Sequence, residues 1–179
     1  MRERIDLLLD KDSFDEIGKV AGGAEYDDEG NLLSLTPANF ILGFGKIEGQ
    51  DVIVGGEDFT VKGGSPNAAG LRKSVYTEDL AVKHKFPLVR LHEGGGGSVA
   101  GPSKEKKGYG GDPVFARSRF KSVAQTLKEV PVVSAALGPV AGLPASRFVG
   151  SHFRIMVKDN AQIFCLLYTS PSPRDMPRS

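Results

Sequence analysis

Two short stretches join an apolar run to residues that leave main chain bare. Residues 86–91 lead through His92 and Glu93 into four consecutive glycines, Gly94 to Gly97, followed by Ser98 and Val99. Residues 132–137 are almost wholly apolar and run into Gly138-Pro139-Val140-Ala141-Gly142-Leu143. Four glycines in a row forgo side-chain packing and cost backbone entropy, so a stable fold keeps them where main chain must approach something closely. Backbone N–H groups from two adjacent turns facing one hollow can hold an anionic oxygen without any side chain.

Competing chemistry fits less well. Gly95, Gly97 and Ala100 satisfy a Gly-x-Gly-x-x-Ala spacing after a strand. However, Pro102 falls where the first helical turn should continue, and no acidic residue ends a second strand at the expected distance. A phosphate-binding loop is excluded, since no Gly-Lys-Ser/Thr follows the glycines. Taken alone, the glycine run reads equally well as a surface loop; the second stretch shifts the balance. His92 could serve as a general base, although one histidine at a strand end ordinarily packs or faces solvent. Glu93 could orient a ligand, although loop carboxylates are ordinarily solvated. Ser98 lacks the Gly-x-Ser-x-Gly elbow. Arg72 and Lys73 could meet a phosphate but read as a charged helix face, and Asp58 reads as structural.

Composition limits the function classes. The chain has 179 residues, 40% of them apolar, enough for one domain; a chain of this size buries roughly 70% of its unfolded surface. With 23 basic and 22 acidic residues, no charge excess points to nucleic acid or an anionic membrane. One cysteine, Cys165, excludes a disulfide framework and a thiolate zinc cage, and His84, His92 and His152 have no ligand-like spacing. The amino terminus lacks the apolar core of a signal peptide, and no run of about 18 apolar residues occurs. The chain reads as soluble and intracellular, with no membrane span and no metal.

The positioning elements follow from periodicity. A short helix is predicted over 4–9, with Ile5, Leu8 and Leu9 on one face. Ser13 and Glu16 have capping-box spacing for a helix over 14–20, and 21–31 reads as a solvated loop. Strands over 40–47 and 52–59 form a hairpin. Asn67 is placed to cap a helix over 68–85 whose inner face carries Leu71, Val75 and Leu80. After the strand over 86–91, residues 102–112 read as exposed. A helix over 113–129 is expected to turn Val114, Phe115, Phe120, Val123 and Leu127 inward. The strand over 130–137 reads as fully buried, followed by a helix over 145–150 and a strand over 153–157. Strands separated by helices argue for α/β with parallel pairing in the second half. Residues 165–179, with Pro171, Pro173 and Pro177 and no periodicity, read as a disordered and non-native tail after a domain of residues 1–164 that stops mid-pattern.

The order of several short motifs resembles the amino-terminal half of the carboxyltransferase (β) subunit of biotin-dependent acyl-CoA carboxylases, the relatives of the propionyl-CoA and methylcrotonyl-CoA enzymes. These motifs are Arg2-Glu3-Arg4-Ile5, Leu8-Leu9-Asp10, Ser13-Phe14, Asp58-Phe59-Thr60-Val61, Gly63-Gly64-Ser65, Lys73 and Asp79-Leu80-Ala81. They continue with Gly138-Pro139-Val140-Ala141-Gly142, Phe153, Met156-Val157-Lys158, Gln162 and Phe164. The resemblance covers Arg2 to Phe164. It implies a crotonase-like (ClpP/crotonase) spiral of ββα units in which main-chain N–H groups hold the thioester carbonyl oxygen of acyl-CoA. It places those groups on Gly94-Gly95 or Gly95-Gly96, with Ala141 and Gly142 lining the other side.

The reaction so implied carries CO₂ from carboxybiotin to the α carbon of an acyl-CoA through an enolate. No protein base is required, since the α-proton passes to biotin. The implied partners are a biotin carboxylase and biotin carrier, a matching carboxy-terminal carboxyltransferase domain, and further copies in a homo-oligomer. The implied compartment is the cytoplasm or mitochondrial matrix. Family members commonly carry Gly-Gly-Ala-Arg after the strand; here Gly96-Gly97 occupy the last two places, without the arginine. Without the carboxy-terminal domain, the chain alone is expected to be inactive. A hydratase or isomerase of acyl-CoA would need a glutamate near the second glycine stretch, and residues 137–148 contain none. A non-catalytic scaffold domain is the remaining alternative.

Overall fold

The computed structural model describes residues 1–65, 67–95 and 119–164. The expectations for 96–118, including Gly96, Gly97, Ser98, Val114 and Phe115, and for the tail 165–179 fall outside those residues.

The elements are α1 (Arg2–Leu8), β1 (Asp15–Glu16), β2 (Gly22–Tyr26), β3 (Leu32–Pro37), β4 (Phe40–Ile47) and β5 (Gln50–Glu57). A short 3₁₀ turn, Lys62–Gly64, precedes α2 (Ala68–His84) and β6 (Leu88–Gly95). The remainder is α3 (Arg119–Glu129), β7 (Val132–Ala141), α4 (Leu143–Gly150), β8 (Phe153–Met156) and β9 (Gln162–Phe164). The main sheet runs β1-β4-β5-β6-β7-β8, with β9 also pairing β7. β4 and β5 are antiparallel, whereas β5, β6, β7 and β8 are successively parallel. β2 and β3 form a separate hairpin.

The β4–β5 hairpin closes through Glu48 and Gly49, both at positive φ (50° and 78°), the twist a two-residue hairpin turn requires. The Asp10 carboxylate accepts hydrogen bonds from both turn amides, at 2.9 and 2.8 Å. α2 begins where Asn67 Oδ1 accepts from the Gly70 N–H at 2.7 Å and ends at Lys85 in the left-handed conformation, so both caps satisfy backbone groups the helix leaves open.

Strand alternation sorts the core into two faces. Leu42, Ile53, Leu88 and Val132 meet Leu80 and Ala81 of α2. Ile41, Val52, Val54, Val89 and Leu91 meet Ile5 and Leu9 around α1.

Several expectations are corrected. No helix covers 14–20: Asp15 and Glu16 pair with Phe44 and Gly43 of β4. Ser13 Oγ accepts from the Lys46 N–H, and Glu16 takes both Arg2 nitrogens at 2.8 Å, so the capping pair is engaged elsewhere. Residues 21–31 are in part a strand, turned back by Asp27, whose Oδ1 accepts the Glu29 and Asn31 N–H groups. Leu8 and Phe120 are exposed rather than inward. α2 buries Lys73, Ser74, Thr77 and Glu78 alongside Leu80, a polar inner face that apolar spacing at Leu71 and Val75 does not reveal. The strands read as 86–91 and 130–137 continue to Gly95 and Ala141, because ladder pairing is made by main chain and passes through glycine.

Leu42 is fully buried in this core. Leu42→Ala is expected to cost about 2–5 kcal/mol, measured as a lowered urea midpoint with an unchanged m-value.

Candidate functional site

The two glycine stretches lie side by side. In the parallel β6–β7 ladder Gly94 stands opposite Val140 and Gly95 opposite Ala141. The register breaks just before: His92 pairs with Ala136, so Glu93 faces Leu137, Gly138 and Pro139 on the bulged β7. Gly94 and Gly95 both have positive φ, 88° and 91°.

The absence of side chains here has a visible packing cause. A Cβ on Gly94 would strike the carbonyl oxygen of Gly63, and one on Gly64 would press on Gly94 Cα at 3.2 Å. A Cβ on Gly95 would lie 2.8 Å from both the Ala141 carbonyl oxygen and Pro144 Cγ. The main chain at 94–95 therefore meets that at 63–64 and at Ala141 backbone to backbone, with the Pro144 ring packed against Gly95. Gly142, at φ 68°, turns the chain from β7 into α4. Its N–H donates to the Phe164 carbonyl at 3.3 Å and its own carbonyl accepts from the Ser146 N–H at 3.1 Å. In the first turn of α4 the N–H groups of Leu143 and Ala145 have no intrahelical acceptor, and Pro144 has no N–H.

The alternation along β6 sends Arg90 and His92 to the helix face and Glu93 to the face of α1. Glu93 pairs with Arg4 of α1 and leans over Gly138, where a Cβ would meet its Oε1 at 2.9 Å. It is a structural tie, not a solvated loop carboxylate. His92 is 1% exposed. Its Nδ1 lies 3.0 Å from Glu57 Oε2 and its Nε2 3.5 Å from Ser134 Oγ, which in turn lies 2.7 Å from Ser151 Oγ. Beside it, Glu78 Oε1 accepts from Arg90 Nη2 at 2.6 Å and from Arg147 Nε at 2.9 Å, and Arg147 Nη1 donates to Ser74 Oγ at 3.1 Å. Burial pulls the Arg90 guanidinium down to about 10, with Arg147 adding to the fall and Glu78 and Glu57 opposing it.

Sequence reasoning missed this layer, since its members come from β5, β6, β7, α2 and α4. The available signal was the polar alternation of Arg90 and His92 inside an otherwise apolar strand.

The other candidates are occupied elsewhere. Asp58 accepts from the Thr60 N–H and hydroxyl, closing a turn. Lys73 is buried and donates to the Gly18 carbonyl at 3.1 Å; burial pushes its ammonium down while Glu16 holds it up. Arg72 is exposed. His152 Nδ1 accepts from the Val132 N–H at 3.0 Å, and His84 packs edge-on to Phe44. Among the described residues no group of three or more metal-ligating side chains forms, and no helix is long and apolar enough to cross a membrane.

The geometry can be set beside known proteins. Residues 1–170 match the model of the carboxyl transferase domain family. The chain is 33% identical over 165 residues to the propionyl-CoA carboxylase beta chain of Roseobacter denitrificans, covering 91% of this chain and 31% of that one. It is 27% identical over 164 residues to the biotin-dependent 3-methylcrotonyl-coenzyme A carboxylase beta1 subunit of Mycobacterium tuberculosis, over 91% of this chain and 30% of the relative. Its fold superposes on the geranyl-CoA carboxylase beta subunit of P. aeruginosa with a TM-score of 0.68 at 25% identity, covering 91% of this chain and 29% of the other. The chain thus spans about three-tenths of the length of the relatives it matches. The fold is the α/β, crotonase-like one, with a largely parallel sheet.

Two outcomes follow from the geometry. Gly95→Ala meets both a positive φ and two contacts at 2.8 Å, so it should lower stability by about 1–3 kcal/mol, read as a reduced melting temperature. Burial pushes the Glu57 carboxyl up, but the His92, Arg90 and Arg147 charges and the His92 hydrogen bond outweigh it, holding the group below 4.5. A carboxyl depressed in the folded state contributes stability above its unfolded value, lost as pH falls through the folded value. Glu57→Gln should therefore flatten the acid limb of stability against pH in urea titrations below about pH 5.

Proposed function

Since this chain belongs to the carboxyl transferase domain family, we propose that it forms the acyl-CoA side of a biotin-dependent acyl-CoA carboxyltransferase. The single observation that supports this reading is the pairing of Gly94 and Gly95 with Val140 and Ala141, beside the start of α4. It brings the two glycine stretches to one place, where main-chain donors can converge on one oxygen.

In this reading the thioester carbonyl of acyl-CoA enters against the segment formed by Gly94, Gly95 and Gly96, of which Gly96 lies outside the described residues. Ala141 and Gly142 line the opposite wall. The Gly142 N–H is already engaged by Phe164, so the donors on that side are the first-turn N–H groups of α4, which have no acceptor within the helix, aided by the positive end of its dipole. Loss of the α-proton moves negative charge onto the thioester oxygen. Preorganised N–H donors stabilise that charge in the transition state, each by about 2.7–4 kcal/mol in comparable sites.

Carboxybiotin, on a partner carrier, supplies the CO₂. The cradle offers main-chain donors for one anionic oxygen and is not assigned to the biotin ring, which belongs to a carboxy-terminal carboxyltransferase domain in this reading. The biotin carboxylase, the carrier and further copies of the chain complete the assembly, in the cytoplasm or mitochondrial matrix. Residues 1–164 make up the acyl-CoA domain and residues 165–179 lie outside it. Among the described residues a hydratase or isomerase reading finds no available acid–base carboxylate at the second glycine stretch: Glu93 approaches Gly138 but is held by Arg4.

Titration calorimetry of the chain with propionyl-CoA should give saturable binding in the micromolar range. A thioether analogue without the carbonyl oxygen should bind about tenfold more weakly, the size of one lost hydrogen bond to the neutral carbonyl oxygen. Absence of saturable binding would favour the scaffold reading. Carboxyl transfer should appear only when the biotin-side domain is added.

A further inference from the structure

Glu78 lies outside the proposed oxygen site, on the inner face of α2, and is 1% exposed. Both guanidinium groups of the buried layer nevertheless converge on one of its atoms. Oε1 accepts from Arg90 Nη2 at 2.6 Å and from Arg147 Nε at 2.9 Å, while Oε2 has no hydrogen-bond partner among the described residues. A carboxylate has two oxygens to offer, so sharing one is a constraint. Neither arginine can move without drawing Oε1 away from the other.

The three side chains come from separate elements. Arg90 stands on β6, the strand that ends at Gly95, and Arg147 on α4, the helix that begins after Gly142. α2 supplies the fixed point, because it is capped at both ends and takes a second bond from Arg147, Nη1 to Ser74 Oγ at 3.1 Å. Arg90 and Arg147 are buried, so a guanidinium that left Glu78 would remain out of water and uncompensated, which is costly. The planar fork of each guanidinium fixes direction as well as distance.

We infer that Glu78 is a positioning residue: by holding Arg90 and Arg147 on one oxygen it couples the end of β6 to the start of α4, and so sets the spacing between the two walls of the glycine junction. The consequence for catalysis rests on the carboxyltransferase reading; the coupling does not. Ion pairs that only stabilised the fold would hold each element independently. A shared oxygen passes a disturbance of one element to the other.

Amide spectra of the ¹⁵N-labelled full chain test the coupling with two substitutions that keep the buried cation. Arg147→Lys loses the Nε donor on α4 and should shift the Gly94 and Gly95 amide resonances. Arg90→Lys should in turn shift those of Leu143 and Ala145. In the double variant the shifts should fall short of the sum. Glycine amides unmoved by Arg147→Lys, or shifts that simply add in the double variant, overturn the proposal. Additive shifts would mean that α4 reaches Gly95 through the Pro144 contact instead. Glu78→Gln keeps the shape without the charge and should shift both sets at once, and unmoved amides there overturn the proposal too. Should that variant fail to fold, the lysine cycle decides.

In binding, Arg147→Lys should cut the preference for propionyl-CoA over its thioether analogue from about tenfold to about twofold. Leu42→Ala, which destabilises from the apolar core, should keep the full preference. An undiminished preference in Arg147→Lys, or an equal loss in Leu42→Ala, overturns the positioning role. If the unaltered chain binds no acyl-CoA, the carboxyltransferase reading fails while the amide experiment still decides the role of Glu78.

Discussion

The structure depends on three stretches of main chain touching without side chains between them. Gly64 meets Gly94, Gly94 meets Gly63, and Gly95 meets Ala141 and Pro144. Such contact is possible only where Cβ atoms are absent or directed away, and all four of these glycines lie at positive φ. The sheet order follows from it. β5, β6 and β7 must end at one level for the turn after β5, the end of β6 and the start of α4 to converge. A parallel ladder built from crossover helices brings successive strand ends to the same edge, as a meander would not. The glycines therefore have two roles: the packing role is visible in the structure, and the proposed ligand role uses the same lack of bulk.

Beneath this junction lies a layer of charge that a small α/β domain would not need for stability alone. Glu78 accepts from two guanidinium groups, and Glu57 holds His92. Buried ion pairs seldom add much over an apolar core of the same shape. What they impose is geometry, because each partner is badly off when displaced. Arg147 ties α4 to α2, and Arg90 ties β6 to α2 through the same carboxylate. The helix that begins at Gly142 and the strand that ends at Gly95 are thus referenced to one side chain, Glu78.

Local chemistry was legible in the sequence wherever a single segment carried the whole signal. The Glu48-Gly49 turn marks the β4–β5 hairpin, Asn67 marks the start of α2, and the glycines after two apolar runs mark where β6 and β7 approach each other. Signals that depended on distant partners misled. Ser13 and Glu16 have capping spacing, yet their hydrogen bonds go to Lys46 and Arg2. The inner face of α2 is polar because Glu78, Ser74 and Thr77 find partners, and Leu71 and Val75 are only half-buried at its margin. His92 was undervalued for the same reason: Glu57 and Ser134 are far away in sequence, and only strand parity brings all three onto one face. The strand ends were placed too early because glycine and proline suggest a stop, whereas a ladder uses main chain and continues.

The polar layer and the glycine junction act together electrostatically. Two guanidinium groups, Arg90 and Arg147, act on two carboxylates, Glu78 and Glu57. These charges are buried, so water screens them little. Arg90 lies on β6, the strand that ends at Gly95, and Arg147 lies within α4, the helix that begins after Gly142. Both neighbours of the proposed oxygen site are therefore held by fixed charges that need no reorganisation when an anion forms. Site geometry and site charge come from the same residues, which is why the side chains of this layer matter to a pocket lined by main chain.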